Sequence, residues 1–157
     1  MPICNINEFL VKGFFKDNIM CLDIGTKKWG VALSDPNNTF SLPHKVLAYN
    51  KKIFQRINDI IENYNVNLIL IGLPLNFDNS LNKKCQSIRD ITKHMDTKLL
   101  ELEKNLPIIF WDESFSTLEA KTLVTSKERK RKNLLDKFAA TIILQDFLDF
   151  LKKNTSK

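Results

Sequence analysis

The chain is predicted to fold as one α/β domain layered on a mixed sheet, and two features of its patterning carry that expectation. From Ile19 to Ala48, three short extended segments are separated only by tight turns, which reads as an antiparallel meander. Beyond Lys51 the rhythm changes to helices alternating with apolar runs, as in the crossover units of a parallel sheet. A length of 157 residues with 43% apolar side chains allows one substantial core without disulfides or a structural metal.

Each element has a local cause. Ile19 to Asp23 is an apolar run that turns at "GTKK" into a second strand, "WGVALS". "DPNN" supplies the next turn, with Pro36 fixing φ and the Asn side chains bonding local backbone, and a third extended segment follows near Phe40 to Ala48. "KKIFQRINDIIENY" sets Ile53, Ile57, Ile60 and Ile61 at helical spacing. A strand "NLILIG" and a loop "LPLNFDNS" come next, then a long helix over Leu81 to Lys104 with Ser80 as its N-cap. The strand "PIIFW" ends at Asp112. After it a short helix from about Thr117, a basic loop, and a last helix from Leu134 to about Leu151 are expected. Residues 1–18 read as a loosely ordered lead-in, 19–152 as the domain and 153–157 as a tail.

Several function classes are disfavoured. Cys4, Cys21 and Cys85 lie far apart and form no C-x-x-C pair, which argues against a disulfide framework or zinc site and suits a reducing cytoplasm. The longest apolar stretch, "LILIGLPL", is broken by a glycine and a proline and falls well short of a membrane span. Lys12 interrupts "FLVKGFF", so no signal peptide is expected, and the location expected is cytoplasmic. The net charge of +6 is unevenly placed: residues 1–120 are neutral overall and the excess lies in 121–157, densest at "KERKRK". Such a block is either a solvated loop or a set of phosphate contacts, since each neutralised phosphate releases counterions.

Three acidic positions stand out. Asp23 ends an apolar strand, where it either caps the "GTKK" turn or holds a metal or reacting group. Asp112 and Glu113 in "WDESFST" close another apolar strand; capping of the next helix accounts for Ser116, Thr117 and Glu119 but not for the adjacent acid pair. Asp136 in "NLLDKFAATIIL" resembles a capping-box acid behind Asn133, yet it shares a helical stripe with Ala140, Ile143 and Phe147. Converging over a sheet edge, such acids would suit Mg²⁺, which takes carboxylate oxygens and retains waters. His44 and His94 belong to no motif.

Four stretches in this order are similar to one family: "LDIGTKKWGVALSD", "LILIGLPLNFDNS", "FWDESFSTLEA" and "LLDKFAATIILQDFLD". They resemble the YqgF/RuvX family of the RNase H-like superfamily, known as pre-16S rRNA nucleases and formerly as Holliday junction resolvases. The resemblance implies an RNase H-like fold: a five-stranded mixed sheet, three antiparallel strands then two parallel, with helices on both faces. It further implies a nuclease dependent on Mg²⁺ or Mn²⁺, with Asp23, Glu113 and Asp136 catalytic and Asp112 beside them as a further metal ligand. Asn76 in "GLPLN" and the run Lys127, Arg129, Lys130, Arg131 and Lys132 would contact nucleic acid; for the "GLPLN" loop a packing role stands as the alternative. Family members usually read D-E-R where this chain has Asp112-Glu113-Ser114, and D-G-S where it has Asp78-Asn79-Ser80.

The substrate expected is structured RNA, with pre-16S rRNA 5′-end maturation as the role; branched DNA and non-catalytic RNA binding are the alternatives. Actin-like ATP binding, which also uses D-x-G-T, needs a duplicated domain and a second glycine-rich loop that a chain with four glycines lacks. No membrane partner is expected, and monomer and homodimer both stay open.

Overall fold

The computed structural model describes residues 3–4, 18–73, 83–112 and 128–155. In chain order its elements are β1 (Ile3–Cys4), β2 (Asn18–Ile24), β3 (Lys28–Ser34), β4 (Ser41–Ala48), α1 (Ile53–Tyr64), β5 (Val66–Leu73), α2 (Lys83–Glu101), β6 (Ile108–Asp112) and α3 (Glu128–Thr155). The sheet runs β1-β6-β5-β2-β3-β4. Pairing is antiparallel from β2 through β3 to β4 and parallel from β2 through β5 to β6. The expected five strands are therefore present in the expected mixture. β1 adds a sixth, parallel to β6, inside a segment read from sequence as a loose lead-in.

Strand alternation divides the interior into two cores. Met20, Leu22 and Ile24 face α1 and α2 with Trp29, Val31, Ile69 and Ile71. Ile19, Cys21, Ala32, Leu68, Leu70 and Ile109 face α3, meeting Ala140, Ile143, Leu144, Phe147, Leu148 and Leu151. Each fully buried leucine or isoleucine contributes about 1.5–3 kcal/mol by leaving water.

Local hydrogen bonds fix where elements stop. Asn65 adopts φ 51°, the left-handed conformation that ends α1, and its N–H donates to the Ile61 carbonyl. The Asn18 side-chain amide donates to the carbonyls of Tyr64 and Asn65 at 3.1 and 3.2 Å, tying the end of α1 to the start of β2. At the β3–β4 turn, Asp35 Oδ1 accepts from the backbone N–H groups of Thr39 and Phe40 at 2.7 and 2.8 Å. Gln145 anchors α3 to the same corner, its Oε1 accepting from Ser41 N–H at 2.9 Å and its Nε2 donating to Thr39 O at 3.1 Å.

Two expectations are corrected. The last helix begins at Glu128, not Leu134, so the "KERKRK" loop is largely helical. Arg and Lys are good helix formers and no Gly or Pro interrupts the run. Asn133 thus lies inside α3 and does not cap it, and Asp136 is not in a first turn. The helix also continues to Thr155, into residues read as a tail. The N-cap assigned to Ser80 and the short helix from Thr117 fall outside the described residues.

Backbone hydrogen bonds, that of Phe40 foremost, hold the Asp35 carboxyl below its ordinary pKa of 3.8. Its stabilising effect is therefore complete above 3.8 and is lost as the pH falls through the lower folded value. Asp35→Ala should cost about 1 kcal/mol in denaturant titrations at neutral pH, solvent competition keeping the figure small. The gap from wild type should close in acid; a gap independent of pH would mean the carboxylate charge is irrelevant to the turn.

Candidate active site

Because β2, β5 and β6 are parallel, their C-terminal ends open at one edge of the sheet, where open α/β sheets place ligands. Asp23 is the penultimate residue of β2 and is half-buried. On one side it pairs directly with Gly30 of β3. On the other, Leu22 pairs with Ile71, which brings Asp23 level with Gly72 of β5. Gly25 follows two residues later. Three of the four glycines in the chain thus surround this carboxylate. Glycine weakens a strand interior, and its usual reason there is close approach of a ligand or another backbone.

The turn beyond Asp23 is tightly fixed. Gly25 N–H donates to Lys28 O at 3.1 Å, and Tyr49 N–H donates to Lys27 O at 2.9 Å. A Cβ at Gly25 would lie 2.5 Å from the Lys28 carbonyl oxygen, so no other residue fits without moving backbone. Asp23, Ile24, Gly25, Thr26, Lys27, Lys28, Gly30 and Lys84 line a cavity of about 250 Å³ at this edge. Sequence reading missed the three lysines. They belong to no dense run, and only the packing of α2 brings Lys84 to Asp23.

The other acidic positions divide between the two faces. Alternation sets Asp23 with Ile19 and Cys21 on the α3 side. Asp112, which pairs with Leu73, follows Ile108 and Phe110 on the α1–α2 side. Asp112 and Asp23 therefore do not share a face. Between them, Trp111 ties β6 to α3, its Nε1 donating to Asp146 Oδ2 at 2.9 Å and its ring meeting Phe147 edge-on at 5.2 Å.

Asp136 lies in α3 one helical turn before Ala140, which is wholly buried on the Asp23 side of the sheet. Arg129, Lys130, Arg131 and Lys132 belong to the same helix; the side chains of all five, like Asn76, Glu113 and Lys127 entirely, lie outside the described residues. Among the described residues, no three His, Cys, Asp or Glu side chains gather as a metal-holding set. No described helix is long and apolar enough to cross a membrane.

A larger cleft, about 340 Å³, lies at the opposite end of β2, lined by Asn18, Asp35, Leu42, His44 and Tyr64 among others. Its one carboxylate, Asp35, is committed to the turn amides. Burial first, and Lys45 second, push the His44 imidazole below its ordinary pKa, favouring the neutral ring that stacks edgewise on Tyr64 at 4.9 Å. Neither residue offers a cluster comparable to the edge at Asp23.

A family model, RuvX, described as Holliday junction resolvase, matches residues 17–150. A protein from Thermoanaerobacter pseudethanolicus named "Putative pre-16S rRNA nuclease" is 38% identical over 140 residues, covering 85% of this chain and 97% of its own length. A protein of the same name from Pelagibacter ubique is 31% identical over 151 residues, covering 93% and 97%. Among solved structures, Thermus thermophilus RuvC in complex with a Holliday junction substrate superposes with a TM-score of 0.54 at 11% identity, over 88% of this chain and 97% of that one. That likeness gives the RNase H-like fold.

The Gly25 turn yields a direct test of how rigid this edge is. Gly25→Ala should destabilise the protein by about 1–3 kcal/mol, because the opposing atom is backbone and cannot rotate away. Chemical denaturation measures this; an unchanged midpoint would show slack in the turn that the packing does not suggest.

Proposed function

This chain belongs to the RuvX family of phosphodiester-hydrolysing nucleases, and on that premise we propose that it is a divalent-metal-dependent enzyme that cuts structured RNA during 5′-end maturation of pre-16S rRNA. The observation that carries the reading is Asp23: a carboxylate on the central strand, flanked by glycines and opening onto a lysine-lined cavity. The relatives named for pre-16S rRNA favour RNA as substrate. The family's description favours branched DNA as the second reading.

The donor set suits a hard cation. Asp23 offers oxygen ligands beside open space, and among the described residues no cysteine or histidine lines the cavity with it. Asp23, Glu113 and Asp136 are the proposed ligands for Mg²⁺ or Mn²⁺. Asp112 is left out of the set because alternation directs it to the other face. When bound, such ions activate a water and stabilise the leaving oxygen of an in-line displacement. The protein's own part is to hold its carboxylates on a strand end that cannot drift. The strand's two neighbours and two cores give β2 that rigidity. Asn76, Lys127 and the residues Arg129 to Lys132 in the first turns of α3 are proposed contacts to the nucleic-acid backbone. The basic run has no interleaved aromatic side chain to stack on bases, so it would grip phosphates without reading sequence.

Asp23→Asn keeps the shape of the side chain and removes its charge. It should abolish cleavage of a labelled pre-16S rRNA fragment in Mg²⁺ or Mn²⁺ while circular dichroism and the melting temperature show an intact fold. Wild-type activity in this variant would reduce Asp23 to a turn residue. Junction DNA assayed in parallel decides the substrate: if the wild type cuts it and spares RNA, the second reading replaces the first.

A further inference from the structure

Resting on that nuclease reading, we propose that the cavity beside Asp23 seats one phosphate of the substrate strand, and that Lys84 of α2 is the cation that binds it. Among the described residues that line it, three are lysines, Lys27, Lys28 and Lys84, beside the carboxylate of Asp23. At about 30 Å³ per water in the liquid, 250 Å³ has room for a phosphate group with part of its hydration shell. A cluster of acids alone repels a phosphodiester. A neighbouring ammonium group offsets that repulsion and acts as a point charge that tolerates any strand direction.

Lys84 is the member of the trio that the fold delivers from elsewhere. Its neighbour Cys85 is fully buried and Ile88, one turn later, is nearly so, which fixes the start of α2 against the core. The base of the Lys84 side chain is therefore held in place while the residue itself is exposed. Lys27 and Lys28 come from the turn that Gly25 and Tyr49 pin. The cavity is thus bounded by two pieces of backbone that are each fixed by the fold. A phosphate seated there lies next to the carboxylate at which hydrolysis is proposed, which makes Lys84 a substrate-binding residue beside the scissile bond.

The test compares the full-length wild type with Lys84→Ala and Lys84→Arg. Binding of a fluorescent structured RNA is followed by anisotropy at several salt concentrations without divalent metal, and cleavage is followed with Mg²⁺. Lys84→Ala should weaken binding roughly fivefold and flatten the slope of log K against log salt by about 0.7–0.9, the loss of one phosphate contact. KM should rise with kcat within about twofold, Lys84→Arg should restore most of the affinity, and melting temperatures should coincide because the side chain is exposed. Unchanged affinity and salt slope in Lys84→Ala would overturn the assignment, as would a wild type that binds no RNA. Weakened binding by Lys84→Ala alongside a wild type that cuts nothing would instead sustain the phosphate seat and remove the nuclease reading.

Discussion

Strand β2 has no side facing solvent, and the rest of the molecule is organised by that constraint. Its hydrogen-bonding edges are taken by β3 and β5, and its two faces by α3 and by the α1–α2 pair. A strand so enclosed cannot slip by one residue, since a slip would exchange every side chain between two differently shaped cores. The position of Asp23 is therefore set by Ile19 to Leu22, all fully buried, more than by any contact of its own. A carboxylate attached to such a strand is held to the precision of the core packing. That is what a reaction depending on charge placement requires.

The glycines complete this arrangement from the outside. Gly30 lines the cavity beside Asp23, Gly72 lies level with Asp23 in the other neighbouring strand, and Gly25 permits the close turn onto the Lys28 carbonyl. Replacing strand residues by glycine costs stability, roughly 0.5–1 kcal/mol at each position relative to alanine. Among the described strands, glycine occurs only in the two that flank β2. Stability and access are balanced at one edge, while at the opposite end of the sheet the hydrogen bonds of Asp35, Asn18 and Gln145 tie turn, strand and helix together.

Much of this was legible in the sequence, for identifiable reasons. The meander was visible because its turns are short and carry Pro36 and asparagines, and α1 because its isoleucines keep a strict helical spacing. Asp23 stood out since a carboxylate closing an apolar run is costly to desolvate unless a cation or a set of hydrogen bonds compensates it. What escaped prediction depends on tertiary context. β1 is two residues long, too short for any periodicity. The start of α3 was misplaced because a dense cationic run reads as a solvated loop until a helix claims it. The separation of Asp112 from Asp23 follows from pleat and register, which adjacency to Glu113 concealed. Lys84 had no local signal; α2 had to be packed on the sheet before it had a neighbour of interest.

The central claim is that the glycine-flanked edge at Asp23 is where a divalent cation and the substrate meet. Titrating Mn²⁺ into the ¹⁵N-labelled protein tests it most directly, because the ion broadens most strongly the amide signals closest to it. Broadening should begin at Asp23, Ile24, Gly25 and Gly72 and should disappear in the Asp23→Asn variant. Broadening centred instead on the far cleft around Ser34 to His44, or an identical pattern in the variant, would contradict the claim.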